Sequence, residues 1–168
     1  MHRFRFFARA FTIAAAVSLM ATAARAENTV TVQLTANRVT KTQGRESLAP
    51  ADQARPGELL EYRAVYKNGA AGEVRNVAAT LPIPRGTTFV RGSASPGRVE
   101  ASLDGSHFAA VPLTRTVRGA DGRDVVQEIP VSEYRALRWP LGSLAGHQSR
   151  AVTARVRIEP TEVAALTR

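Results

Sequence analysis

"LLEYRAVYKNG", residues 59–69, alternates apolar and polar side chains and ends on an Asn-Gly pair. Leu60, Tyr62, Ala64 and Tyr66 fall on one side; Glu61, Arg63 and Lys67 fall on the other, with Val65 the exception. A period of two belongs to a strand with one face buried, whereas a helix spaces its apolar residues three and four apart. Asn68 and Gly69 both tolerate positive φ, so the pair predicts a turn that closes the strand.

The same period recurs on both sides of this stretch. In "NTVTVQLTA", residues 28–36, Val30, Val32, Leu34 and Ala36 share one face and Thr29, Thr31, Gln33 and Thr35 the other, which predicts a half-buried strand. Residues 37–57 are polar and punctuated by Gly44, Pro50, Pro56 and Gly57, so they read either as an irregular connection or as a ragged edge strand followed by a turn. Downstream, Val74 to Leu81 forms a shorter strand, halted by Pro82 and Pro84, neither of which can donate a ladder hydrogen bond. "TTFVRG" and "RVEASL" predict two more strands, and Asp104-Gly105 is a hairpin signal leading into "HFAAVPL". Residues 114–132, with Gly119, Asp121-Gly122 and Pro130 around a short strand at Val125 to Ile129, predict a long hairpin or a mobile loop. "EYRALRWPLGSL" carries Tyr134, Leu137 and Trp139 up to a Pro-Leu-Gly break, and "SRAVTARVRI" alternates again with Val152, Ala154, Val156 and Ile158 inward.

About seven to nine short strands with regular turn signals point to an all-β chain, an immunoglobulin-like antiparallel β-sandwich. One such domain fills residues 27–168. Residues 1–26 read as a cleavable signal peptide: Arg3, Arg5 and Arg9 are basic, Phe11 to Ala24 are largely apolar, and Ala24-Arg25-Ala26 fits the small-x-small cleavage rule. A membrane anchor needs about 20 apolar residues, and Thr12, Ser18 and Thr22 interrupt this run. The absence of cysteine excludes a lipoprotein anchor, a disulfide framework and thiolate metal sites. An exported, cysteine-free, Arg-rich chain with an Ala-rich leader fits the periplasm or cell surface of a Gram-negative bacterium. Of the net charge of +9, four units belong to leader arginines, leaving +5 on the mature domain. That favours contact with anionic partners such as lipid headgroups or cell-wall polymers, although such a charge more often only keeps a domain soluble. No nucleic acid is expected.

Candidate chemistry is sparse. His107 and His147 sit beside turns without a second ligand at metal-binding spacing, and read as surface histidines. Asp121, Asp124 and Glu128 surround Arg123, which suits a solvated turn better than a calcium loop. There is no Gly-x-Ser-x-Gly elbow, no glycine loop leading into a helix and no arguable carboxylate pair. The chain therefore reads as non-enzymatic, without metal or other cofactor. Arg135, Arg138, Arg150, Arg155 and Arg157 cluster in the last two predicted strands, and Arg155 and Arg157 share an outward face with Thr153. Such a strip can hold phosphate or carboxylate groups, or simply be a solvated face that discourages edge pairing. Trp139 would stack on a sugar ring if exposed, but a lone Trp late in a sandwich more often belongs to the core. The candidate binding surface is thus Arg138, Trp139, Arg155 and Arg157.

The middle of the chain also carries a resemblance. Pro56-Gly57, Tyr62, Asn68-Gly69, Asn76-Val77, Ile83-Pro84-Arg85-Gly86 and Phe89-Val90 follow one another in the order of the bacterial cell-surface repeat known as domain of unknown function eleven. "LRWPLGSLAGHQSRAVTARVRI" is similar to that family's closing strands, so the likeness spans about residues 30–158. An Asp common before the family's Leu-Pro pair is missing, with Leu81 in its place. The resemblance implies architecture and carries little chemistry. Physically, Tyr62 would bury its ring, Gly57 and Gly86 suit unusual backbone angles, and Pro84 would end a strand. The leading expectation is an exported structural or protein-interaction module of the bacterial envelope with a protein partner. The alternative is a binding module for an anionic glycan or envelope lipid at Trp139 and the arginines.

Overall fold

In the computed structural model, residues 30–160 are described; the signal peptide expected at residues 1–26 lies outside them. The described chain is nearly all β, and every pairing is antiparallel. The first hairpin pairs β1 (Val30–Thr42) with β2 (Arg45–Pro50). It turns on Gln43 and Gly44, at φ 51° and 78°, and consecutive left-handed residues are what a two-residue hairpin loop needs to match strand twist. The polar stretch after residue 36 is therefore the ragged-edge alternative, an extension of β1 followed by an edge strand.

Strand β3 (Leu59–Asn68) is the alternating stretch itself, and β4 (Val74–Pro82), β5 (Thr87–Phe89), β6 (Glu100–Ser102) and β7 (Ala109–Ala110) follow. A separate hairpin joins β8 (Thr114–Arg118) to β9 (Asp124–Glu128), so residues 114–132 are a hairpin whose second strand starts one residue before the predicted one. A 3-10 turn at Val131–Glu133 leads to β10 (Ala136–Leu144) and β11 (Ser149–Ile158). The Pro-Leu-Gly segment does not end β10; the strand absorbs it as two register shifts around Gly142, whose φ is 71°.

Two main sheets result, in the orders β2-β1-β3-β11-β5 and β4-β10-β6-β7, packed in a β-sandwich-like arrangement. Leu60, Ala64, Tyr66, Phe89, Val152, Ala154 and Val156 from the larger sheet meet Ala79, Leu81, Ala101, Leu137, Trp139, Leu141 and Leu144 from the smaller. Tyr134 plugs one end, fully buried, stacked on Phe89 at 6.4 Å, with its hydroxyl accepting the Leu113 N–H at 2.9 Å. Gly57 and Gly86 have φ of 83° and 75°, as their positions suggested.

Two expectations are corrected. The Asn68-Gly69 pair does not supply left-handed residues; in that region the positive φ falls on Asn76, at 57°. Asn68 instead ends β3 as a fully buried polar residue. Tyr62 is only half-buried, and the ring sealed between the sheets belongs to Tyr66.

The sheets are staggered. β4 lies against β3 and β10 against β11, so β1 and β2 extend past the smaller sheet as a two-stranded wing.

Candidate functional site

The wing carries the site. On β1, Val32 and Leu34 pair across to Tyr66 and Ala64 and therefore share their inward face. Yet Tyr66 and Ala64 are buried while Val32 and Leu34 are each 53% exposed. Among the described residues no strand of the second sheet reaches over them. On the opposite face, Leu48 of β2 is 51% exposed and sits beside Val39, whose other neighbour is Leu59. Apolar side chains left open on both faces of a sheet margin are a poor arrangement on their own and a good one when a partner covers them.

The two long edges of the sandwich differ in their readiness to pair. On β4 the Tyr66 hydroxyl accepts the Thr80 N–H at 3.1 Å and donates to the Thr80 carbonyl at 3.3 Å, occupying main-chain groups that an added strand would need. Pro82 offers no donor and Asn76 bends the strand with its positive φ. Among the described residues β2 has no such protection along its outer edge, beyond the proline at its end. The open margin among the described residues is therefore β2 beside Leu48 and, because β2 reaches only Asn37–Thr42, the outer edge of residues 30–36 of β1 beside Val32 and Leu34.

The four residues of the basic candidate surface do not form one surface: Arg155 and Arg157 share the outer face of the larger sheet, Arg138 lies on the smaller sheet, and Trp139 is buried. Trp139 is 1% exposed, with Nε1–H donating to the Pro96 carbonyl at 2.9 Å, because strand alternation turns it inward with Leu137 and Leu141. Arg138, one residue before, points out of the smaller sheet, bonded to Glu100 at 2.8 Å and lying 4.2 Å over the Phe108 ring. Arg155 lies on the outer face of the other sheet, held at 2.9 Å by both Glu61 and Glu46. Those carboxylates raise its pKa, Glu46 first and Glu61 second, so its charge is largely met within the protein. Arg157 donates to the Gly57 carbonyl at 3.0 Å. Glu46 and Glu61 could be seen in the sequence, but their meeting with Arg155 depends on the register of four strands, β2-β1-β3-β11, that no local pattern reveals.

The acids of the considered calcium loop are likewise separate. Asp121 accepts the Arg123 N–H, Asp124 pairs with Arg118 at 3.3 Å, and Glu128 pairs with Arg91. Among the described residues no three metal-binding side chains converge.

Of the two histidines among the described residues, His107 has the more built environment. It rims an apolar hollow of about 300 Å³ floored by Ala101, Leu113 and Ile129. Its Nδ1 lies 2.6 Å from Asp104, whose other oxygen accepts the N–H groups of Ser106 and His107, each at 2.8 Å. Ser106 Oγ meets the same Nδ1 at 3.1 Å, so the trio lacks the geometry in which a base takes a serine proton through Nε2. The His107 N–H is the leading cause that pushes the Asp104 carboxyl far below its usual range, and the Asp104 carboxylate raises the imidazole above its ordinary 6.5. The raised histidine stabilises the turn at low pH and loses this contribution as pH rises through its folded pKa. The depressed aspartate contributes above its ordinary 3.8 and loses that as pH falls through its folded value. The turn is therefore tightest between about 3.8 and 6.5. An NMR titration of His107 should show a midpoint above 6.5 that falls back toward it in Asp104→Asn. Identical midpoints would mean that the pair does not form in solution.

No protein-family model matches the chain, and neither curated proteins nor solved structures yield a significant match.

Proposed function

We propose that this protein is an exported, non-enzymatic interaction module of a Gram-negative envelope, in the periplasm or at the cell surface, and that it docks a protein partner on the β1–β2 wing. The observation that carries the reading is the exposure of Val32 and Leu34 on a face whose continuation is the core. A partner segment covering them would bury apolar area worth about 25 cal/mol per Å², and the outer edge of β1 over residues 30–36, which β2 does not reach, offers it main-chain pairing as well.

The finer assignments belong to the same proposal. Two antiparallel sheets with alternating inward residues and a buried Trp139 support an immunoglobulin-like kind of sandwich. The quoted motifs support kinship with domain of unknown function eleven, and residues 1–26 support export.

The test is a photo-crosslinking amino acid at Leu34, compared with one at Ala78, an exposed residue of the smaller sheet. In cells of the native organism, position 34 should yield one defined envelope protein and position 78 none. Leu34→Glu in the crosslinking-competent Val32 variant should remove the adduct while changing stability by no more than about 0.5 kcal/mol, as expected for a surface position. Equal adducts at both positions, or none at position 34, would reject the wing as a docking surface.

A further inference from the structure

Arg155 and Arg138 are met by carboxylates, whereas Arg85 and Arg135, which share a cleft, are not. The β4–β5 turn, the 3-10 turn and the end of β11 enclose a polar cleft of about 240 Å³ lined by Arg85, Gly86, Thr87, Ser132, Arg135 and Glu159. Three distant parts of the chain build it. Arg135 is firmly placed: its N–H donates to the Ser102 carbonyl at 2.7 Å and its own carbonyl accepts the Ile83 N–H at 2.9 Å. Its Nη1 donates to the carbonyls of Ser132 and Tyr134, at 2.9 and 3.2 Å. Those bonds orient the guanidinium but leave its positive charge unneutralised and its other nitrogens available. Among the described residues neither Arg85 nor Arg135 has a carboxylate within ion-pair distance, although Glu159 lines the same cleft. The Glu159 side chain is held by the Thr88 hydroxyl, and its N–H donates to the Gly86 carbonyl at 2.8 Å.

We propose that this cleft binds a phosphorylated polyol, with the phosphate between Arg85 and Arg135 and the hydroxyl groups on Glu159 and Ser132. Two guanidinium groups suit a phosphate because each presents forked donors to its oxygens. The space exceeds what a bare phosphate fills, and the lining is polar rather than apolar, so the remainder of the ligand carries hydroxyls. Glu159 sets the charge limit: its carboxylate accepts a hydroxyl but repels a second anionic group. A monophosphate of glycerol or a sugar fits these terms, either free or as a lipid headgroup.

Isothermal titration of the full mature chain with glycerol 3-phosphate, together with flotation on phosphatidylglycerol vesicles, tests the proposal. Saturable binding should weaken about tenfold or more in Arg85→Ala and in Arg135→Lys, which keeps charge but loses the fork. Arg63→Ala, which removes the same charge from an exposed position on the outer face of the larger sheet, should leave binding unchanged. Binding of the soluble probe identifies a free ligand. Binding only to phosphatidylglycerol vesicles, absent with phosphatidylcholine and lost in Arg85→Ala, identifies a headgroup. Binding to neither probe overturns the proposal, as does an equal loss in Arg63→Ala and Arg85→Ala. Arg85 is exposed, and the thermal midpoint of its variant should match that of the parent, so lost binding is not lost folding.

Discussion

Asn68→Ala is expected to lower the unfolding free energy by about 1–3 kcal/mol, the range for a buried hydrogen-bonding group left without its partner. The side chain is fully buried at the end of β3. Its amide donates to the carbonyls of Gly72, Leu144 and Ala145 at 2.7, 3.1 and 3.1 Å, and its oxygen accepts the Ala70 N–H at 3.0 Å. It thus ties the turn after β3 to the turn between β10 and β11. The main chains there are already close: the Ala70 carbonyl accepts the His147 N–H at 3.0 Å, and a Cβ on Gly146 would fall 1.9 Å from the Ala71 oxygen. Alanine leaves the Leu144 carbonyl without its buried donor, whereas the Ala145 carbonyl keeps the Gln148 N–H at 3.0 Å. Asn68→Asp should be as damaging, because a carboxylate would face those carbonyls with no proton to give. Urea unfolding monitored by Trp139 fluorescence gives the number; a loss below about 1 kcal/mol would show that water replaces the amide at little cost.

The same residue shows what can and cannot be read from the sequence. Asn-Gly after an alternating strand has a turn meaning, and a turn does follow, with Asn68 accepting the Ala70 N–H within it; its bracketing role is not legible because two of its partners lie 76 and 77 residues away. Long-range polar brackets leave no local period. The alternation of β3 and β11 was legible because each strand has one face on the core, and period two survives wherever that holds. The Gln43-Gly44 hairpin was ambiguous because glutamine is not among the residues that favour left-handed φ. The break expected in β10 was misread because a bulge and a strand end use the same residues, proline and glycine.

The candidate site was less legible than the fold. Val32 and Leu34 have the pattern of buried residues, and only the stagger of the two sheets, a relation between strands distant in sequence, leaves them exposed. The arginine strip erred in the opposite way: its alternation was right, but charge on an outward face says nothing about the carboxylates that register brings beside it. Arg155 has two such neighbours. Arg85 and Arg135 are 50 residues apart and share no motif, so their cleft could be found only after β4, β11 and the 3-10 turn had been placed.

Trp139→Ala is expected to cost about 3–5 kcal/mol, the range for removing a buried large aromatic side chain. A marginally stable domain holds about 5–15 in total, so most of the margin would be lost. The ring is 1% exposed and its N–H is satisfied by the Pro96 carbonyl, which fixes the segment before β6 against β10. Trp139→Phe separates the two contributions: it keeps much of the packing, removes the donor, and should cost less than alanine. Trp139 is the single tryptophan, so the parent should emit at short wavelength when folded and shift to longer wavelength on unfolding. Thermal melts followed by circular dichroism compare all three proteins. A glycan-stacking role predicts the reverse pattern, a variant as stable as the parent and altered only in binding. An unchanged melting temperature in Trp139→Ala would therefore falsify the buried position and restore the surface role; a large drop assigns this residue to the core.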